Sequence, residues 1–214
     1  VGDKTSNPDP SFIGNPINDI FYFKDRLGFL ADDATILSST GDYFTFWRTT
    51  VIDLLDDARI DVSSAHTKVT KLRHAVPMAE QLILFSDRTQ FSLRGENTLT
   101  PKTVAISPIS EHNNSANTAP VAVGSSIFMP AIRGDYSIIR ELVDISQNRP
   151  KFEMLDIMAG LPAYILGESM SVVASESEDI LAVLADGDQS TLYMYNFFIN
   201  GGERIQSAWS KYTF

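Results

Sequence analysis

Short apolar runs separated by tight polar turns recur along this chain. Four stretches show the pattern most plainly: GFLADDATILSSTGDYFTFW, QLILFSDRTQFSL, SSIFMPAIRGDYSIIREL and ILAVLADGDQSTLYMYNFF. Each run is long enough for a strand and too short for an ordinary helix. Anchored on Phe29, Ile83, Phe128 and Ala182, the units follow one another about every fifty residues, within the range of blade-like β repeats. The pattern predicts an all-β chain of β-propeller-type blades, each built from antiparallel strands, with one or two short helices. Residues 1–214 read as one propeller-like region, with a coil over 1–16 and blade-like units at 17–48, 67–109, 120–145 and 168–214.

Within the first unit, NDIFYFKDR, LGFLADD, ATILSS and YFTFW predict four strands, with Gly41-Asp42 turning the chain into the last. Trp47 and Trp209 are therefore expected in strands. In TTVIDLLDDARIDV the apolar Val51, Ile52, Leu54 and Leu55 have mixed helical spacing, which predicts a short helical turn or a loop. The best helix candidate is Lys151 to Ala159, between Pro150 and Gly160. Asp186-Gly187 is a hairpin-turn signal in the fourth unit. The chain starts at Val1 in a polar coil and stops at Phe214 on an alternating, strand-like pattern, so it is expected to be a fragment of a larger propeller-containing protein.

Composition narrows the chemistry. The chain has no cysteine, which excludes disulfides, thiolate metal sites and thiol nucleophiles. No apolar stretch approaches the roughly 20 residues of a membrane span, and VGDKTSNPDP lacks the basic start and apolar core of a signal peptide. SSTGDYFTFW has Ser39, Gly41, Asp42, Thr45 and Trp47 in an order similar to an Asp-box turn, with the spacing off. That motif speaks of fold, and a glycosidase would still need a second carboxylate across a cleft from Asp42. Gly167-Glu168-Ser169-Met170-Ser171 lacks the final glycine of a nucleophile elbow. His66, His74 and His112 are scattered.

Asp186-Gly187-Asp188-Gln189-Ser190 begins like a calcium loop, but Phe197 stands where the bidentate glutamate belongs. Asp53, Asp56, Asp57 and Asp61 read as a solvated acidic face. The aromatics Tyr193, Tyr195, Phe197, Tyr43 and Trp47 could form a sugar-stacking platform, but at alternate strand positions they are expected to fill the space between blades. No catalytic, cofactor-binding or metal-ligating residue is assigned, and no cofactor is expected.

The segments NPDPSFIGNPINDIFYFKDRLGFLADDATILSSTGDYFTFW, IDVSSAHTKVTKLRHAVPMAEQLILFSDRTQFSL, LTPKTVAI and QSAWSKYTF resemble the tail tubular protein B family, the nozzle proteins of short-tailed bacteriophages related to T7. The resemblance implies a structural virion protein rather than an enzyme. It implies a homo-oligomeric ring in the tail, made in the bacterial host cytoplasm, that forms the DNA ejection conduit. Its partners would be an adaptor or portal-side tail protein and the tail fibres it helps to dock. This chain would be the central, propeller-forming portion. The sequence departs from the family pattern at Tyr212, where a second tryptophan is expected after Trp209, and at Glu141-Leu142, where an aromatic pair is expected after Arg140. The competing reading is a propeller that binds glycan, or a glycoside hydrolase acting on bacterial surface polysaccharide.

A net charge of −10 and a pI near 4.7 oppose nucleic-acid binding, which draws its affinity from Lys and Arg. A DNA conduit, however, should let DNA pass without specific binding. The loop acids Asp53, Asp56, Asp57, Glu176, Glu178 and Asp179 are the candidates for such a repulsive lining.

Overall fold

A computed structural model describes residues 2–64, 71–96, 98–145, 151–200 and 203–214. Two compact units divide the chain, Val1–His112 and Asn113–Phe214. All regular structure among the described residues is β.

The first unit holds two four-stranded antiparallel sheets, each a simple meander. One comprises β1 (Ile17–Phe23), β2 (Arg26–Ala31), β3 (Ala34–Leu37) and β4 (Ile60–Ser63); the other comprises β5 (Leu72–Met78), β6 (Gln81–Ser86), β7 (Gln90–Arg94) and β8 (Ala105–Ser110). Turn chemistry sets the register. Lys24 and Asp25 both take positive φ, 47° and 58°, between the paired residues Phe23 and Arg26, the geometry whose twist matches right-twisted strands. Gly28 is needed for close approach, because a Cβ there would lie 2.3 Å from the Phe21 ring.

Apolar faces of the two sheets share one core, built from Phe21, Leu30, Leu37, Leu82, Leu84 and Phe91 among others. Burying a side chain of this size contributes about 1.5–3 kcal/mol. Polar contacts add to the junction: Asn18 Nδ2 donates to Leu72 O (2.9 Å), and Ala75 N donates to Asp19 Oδ2 (2.8 Å).

The second unit repeats the design. Strands β9 (Val121–Val123), β10 (Ser126–Arg133), β11 (Tyr136–Asp144) and β12 (Phe152–Asp156) form one antiparallel sheet, with the short β13 (Ile165–Leu166) also on β11. The other contains β14 (Ser169–Ser175), β15 (Ile180–Ala185), β16 (Asp188–Asn200) and β17 (Glu203–Thr213). Their shared core includes Phe128, Ile139, Leu181, Val183, Tyr193 and Tyr195. Gly167 sits at the crossing between them with φ +83°, where a Cβ would meet Asp186 Oδ1 at 2.1 Å. Only glycine combines that conformation with that clearance.

Three expectations are corrected. Lys151 to Ala159 is not helical: Phe152–Asp156 is strand β12, paired in register from Asp144↔Phe152 to Arg140↔Asp156. The open edge of β11 offered hydrogen bonds that an isolated turn of helix could not match, and tertiary pairing overrode local propensity. No α-helix occurs elsewhere among the described residues either, so the short helices expected from the sequence are absent there. Finally, Tyr43 to Trp47 is not the fourth strand of the first sheet. Ile60–Ser63 takes that place, leaving residues 38–59 as an excursion and Trp47 in a bend, while Trp209 lies in β17 as expected.

One buried ion pair ties the second unit together. Glu141 on β11 is 1% exposed, and Arg204 on β17 grips it with both arms, Nη1 to Oε2 at 2.7 Å and Nη2 to Oε1 at 2.6 Å. The same guanidinium lies over the Tyr195 and Phe197 rings. Glu141→Ala is expected to lower stability by about 1.5–3 kcal/mol, because it removes the charged partner of the partly buried Arg204 guanidinium. Replacing both residues with leucine should recover most of that loss. Urea unfolding of Glu141→Leu, Arg204→Leu and the double variant measures the coupling.

Candidate functional site

No sequence candidate is brought into a reactive set among the described residues. Asp42 caps its own turn, accepting from Thr45 Oγ1 at 2.7 Å and from Phe44 N at 3.3 Å. Ser169 is buried, and its Oγ has no hydrogen-bond partner among the described residues, so no base stands ready to activate it. His74 lies on β5, His112 closes the first unit, and His66 is outside the described residues.

The Asp186-Gly187 signal is a hairpin turn between β15 and β16. There Asp186 Oδ1 accepts from Glu168 N (2.7 Å). Asp188 accepts from Ser190 Oγ and Thr191 Oγ1, each at 2.7 Å. These carboxylates are occupied in turn geometry, and no group of three or more potential metal ligands is assembled among the described residues.

The four-aspartate cluster is dispersed. Asp61 sits in β4 and pairs with Arg59 at 3.1 Å, Asp56 faces Lys102 at 3.5 Å, and Asp53 and Asp57 are exposed on the excursion. Glu176, Glu178 and Asp179 form the β14–β15 turn. Tyr193, Tyr195 and Phe197 are buried and stack within the core, as their alternation predicts. Tyr43 and Trp47 differ: both are exposed, because residues 43–47 are not a strand.

What the sequence pattern did not reveal is how residues 38–59 are held. Arg26 is 1% exposed, at the start of β2 on the face shared with Gly28 and Leu30. Its Nη1 donates to Ser38 O at 2.6 Å and Ala58 O at 2.7 Å, and its Nη2 to Asp56 O at 3.2 Å. Burial lowers the guanidinium's pKa and Asp57 opposes that shift; the side chain remains a cation. One buried cation thus closes the neck of the excursion at both ends. The available signal was strand phase, since Arg26 falls two and four residues before positions that point into the core.

Further along, Phe46 is buried against Phe12 and Phe29, with ring centroids 5.4 and 5.1 Å away. Asn7 clamps Arg48 through its backbone N and O. Nearer the neck, the Tyr22 and Tyr43 hydroxyls both donate to Asp25 Oδ1, at 2.9 and 2.8 Å. Those two bonds, Tyr43 first, hold the Asp25 carboxyl below its usual range, while Tyr43 and then Asp25 push the Tyr22 phenol up. The result is a loop anchored over residues 38–48 and at its return, with Phe44 and Ile52 in solvent.

Four sheets of antiparallel meanders define an all-β class of protein. Comparison with known proteins gives the particular one. The bacteriophage nozzle protein model matches residues 1–214, and the chain belongs to that family. It is 34% identical over 213 residues to "Tail tubular protein gp12" of Escherichia phage T7; the match covers 100% of this chain and 27% of that relative. The chain therefore spans about a quarter of the relative's length. A solved chain from an S. cerevisiae assembly of dbp5 bound to nup159, gle1, ip6 and adp has a similar backbone, with a TM-score of 0.51 and 8% identity. That likeness covers 92% of this chain and 47% of the other, and at so low an identity it speaks to fold alone.

Two outcomes follow from these contacts. Arg26→Met should remove the neck bonds and release the protection of the Thr40 and Ala58 amides, which donate to Asp57 O and Leu55 O; hydrogen exchange reads both sites. Tyr43→Phe should raise the Asp25 pKa toward the ordinary carboxylate value. Because the folded pKa is depressed, the stability Asp25 contributes is present above that ordinary value and lost as pH falls. An NMR titration of the Asp25 carboxyl measures the change.

Proposed function

We propose that this chain is a structural segment of a short-tailed phage's tail tube, and that its four sheets are propeller blades, two to a unit, within a longer nozzle protein. The observation that carries the reading is family membership over the whole chain, residues 1–214. The identity to a relative named as a tail tubular protein supports it. In each unit the first strands of the two sheets, β1 with β5 and β9 with β14, run beside each other. This is the neighbour relation expected of successive blades.

The longer protein closes into a homo-oligomeric ring, meets an adaptor or portal-side tail protein and helps to dock tail fibres. Its work is done by surfaces, without catalysis or a cofactor. DNA passes through the ring without specific binding, and the net charge of −10 supports a surface that repels phosphate. The proposed lining is sparser than charge clustering alone suggests. Asp56 is paired with Lys102, and exposed positions of β1 and β14 include Ile20, Tyr22, Met170 and Val173 rather than acids.

Light scattering and a gel-shift titration on the full-length protein test the proposal. A ring-sized species that fails to retard duplex DNA even at low salt is expected. Tight, salt-sensitive DNA binding would sink the non-sticking conduit, and a protein that stays monomeric with its portal-side partner present would sink the ring.

A further inference from the structure

The sheet β14–β17 turns one face to the core of the second unit and leaves the other open. Register places the open face. Val173, Ala182, Met194 and Ser210 stand side by side across the four strands. Ser171, Leu184 and Leu192 make the row beside them, with Tyr212 at its rim, and Ile180 and Ala208 belong to a third row. These rows hold no charged residue, in a chain of which 21% is charged. The acids nearby are confined to turns, Glu176, Glu178 and Asp179 between β14 and β15, and Asp186 after β15. A sheet face built for water carries polar side chains at alternate positions. This face is largely apolar instead, with Val173 58% exposed.

The other sheets show how such a face is met. Strand β6 is buried at every position and β10 from Ser126 to Ala131. On the first sheet the chain's own Phe12 and Phe46 pack over the face that carries Phe29 and Ile36. Strand β15, by contrast, alternates buried and half-buried positions. Middle strands of the other sheets are thus covered on both faces by their own polypeptide, and those of the last sheet on one. Two further observations name the occupant. The match to the tail tubular relative covers 27% of that protein, so most of a nozzle protein of that length lies outside residues 1–214. It is tethered to this chain, and a tethered partner outcompetes a free one through its effective concentration. The uncharged rows also offer no ion pair by which a separate partner could be steered or selected; they suit an apolar sheet at the usual spacing of about 10 Å. We propose that the open face of β14–β17 seats a further antiparallel sheet of the same subunit, supplied by polypeptide outside residues 1–214 and presenting uncharged, apolar side chains. The contacts that close the ring between subunits then lie on other surfaces.

The proposal rests on the blade reading, and cross-linking separates the two. Full-length protein carries an aliphatic diazirine amino acid in place of Met194 or, separately, of Val173. It is assembled from equal amounts of unlabelled and heavy-isotope subunits, and native mass spectrometry confirms the mixed composition. After irradiation, the cross-linked peptides are mapped by mass spectrometry. Each position should be joined to strand-patterned segments outside residues 1–214, with same-isotope pairs exceeding mixed-isotope pairs by at least about tenfold. Mixed pairs as frequent as same-isotope pairs would make the occupant a second copy and overturn the proposal while leaving the blades. Quenching by water at both positions, or capture only of residues within 1–214, would overturn it as well. Capture of a same-copy segment that lacks the alternation of strands would overturn the blade reading and the proposal with it. Val173 decides the matter if the Met194 variant fails to fold, because its side chain stands more than half exposed on this unit.

Discussion

A guanidinium taken out of water costs several kcal/mol unless its donors are met, and at Arg26 they are met by backbone carbonyls from both ends of one loop. The first unit depends on that bargain. Without the cation, the carbonyls of Ser38, Asp56 and Ala58 lose their donor, and the strand exchange from β3 to β4 loses its clasp. With it, a long excursion can leave the sheet after Leu37 and return at Ile60 without disturbing the pairing of Leu37 with Ile60. The core beneath stays apolar and closed, and the loop above is held at its neck.

The second unit solves a similar problem with an opposite charge. Glu141 stands where the family pattern led us to expect an aromatic residue, and it is buried under Arg204, whose guanidinium also covers Tyr195 and Phe197. An acid replaces the ring, and an arginine laid across neighbouring rings restores the filled volume. This device fixes where the β16–β17 hairpin lies against β11, and it accounts physically for that departure. The change of Tyr212 for the expected tryptophan lies on an exposed position, where packing places little demand on size.

Legibility in the sequence followed the range of the forces involved. Hairpins such as β15–β16 and β10–β11 were readable because turn residues and alternation act locally. The buried phases of β6 and β10 were equally plain as apolar runs. The strand at Phe152–Asp156 was not, because FEMLD between breakers satisfies helix and strand patterns alike and only the waiting edge of β11 decides. The excursion was hidden for a related reason. YFTFW has the composition of a strand, yet Ile60–Ser63 won the edge of β3, and the signal for the loop's anchor lay in the strand phase of one arginine. Beside the turn, KDR reads as a solvated arginine, and only its phase with Gly28 and Leu30 marks it as facing the core.

The central claim is that this chain builds part of a tail tube out of blade-like sheets. Density of the intact tail from electron cryomicroscopy tests it directly. The account predicts that this segment of the ring subunit contains two meandering sheets per unit, all four-stranded save the one that also carries β13, with the first strand of each nearest the propeller axis and residues 38–59 standing off the first sheet as a loop. Density in which these strands instead form a single continuous barrel wall, or in which residues 38–59 extend the first sheet as a strand, would contradict it.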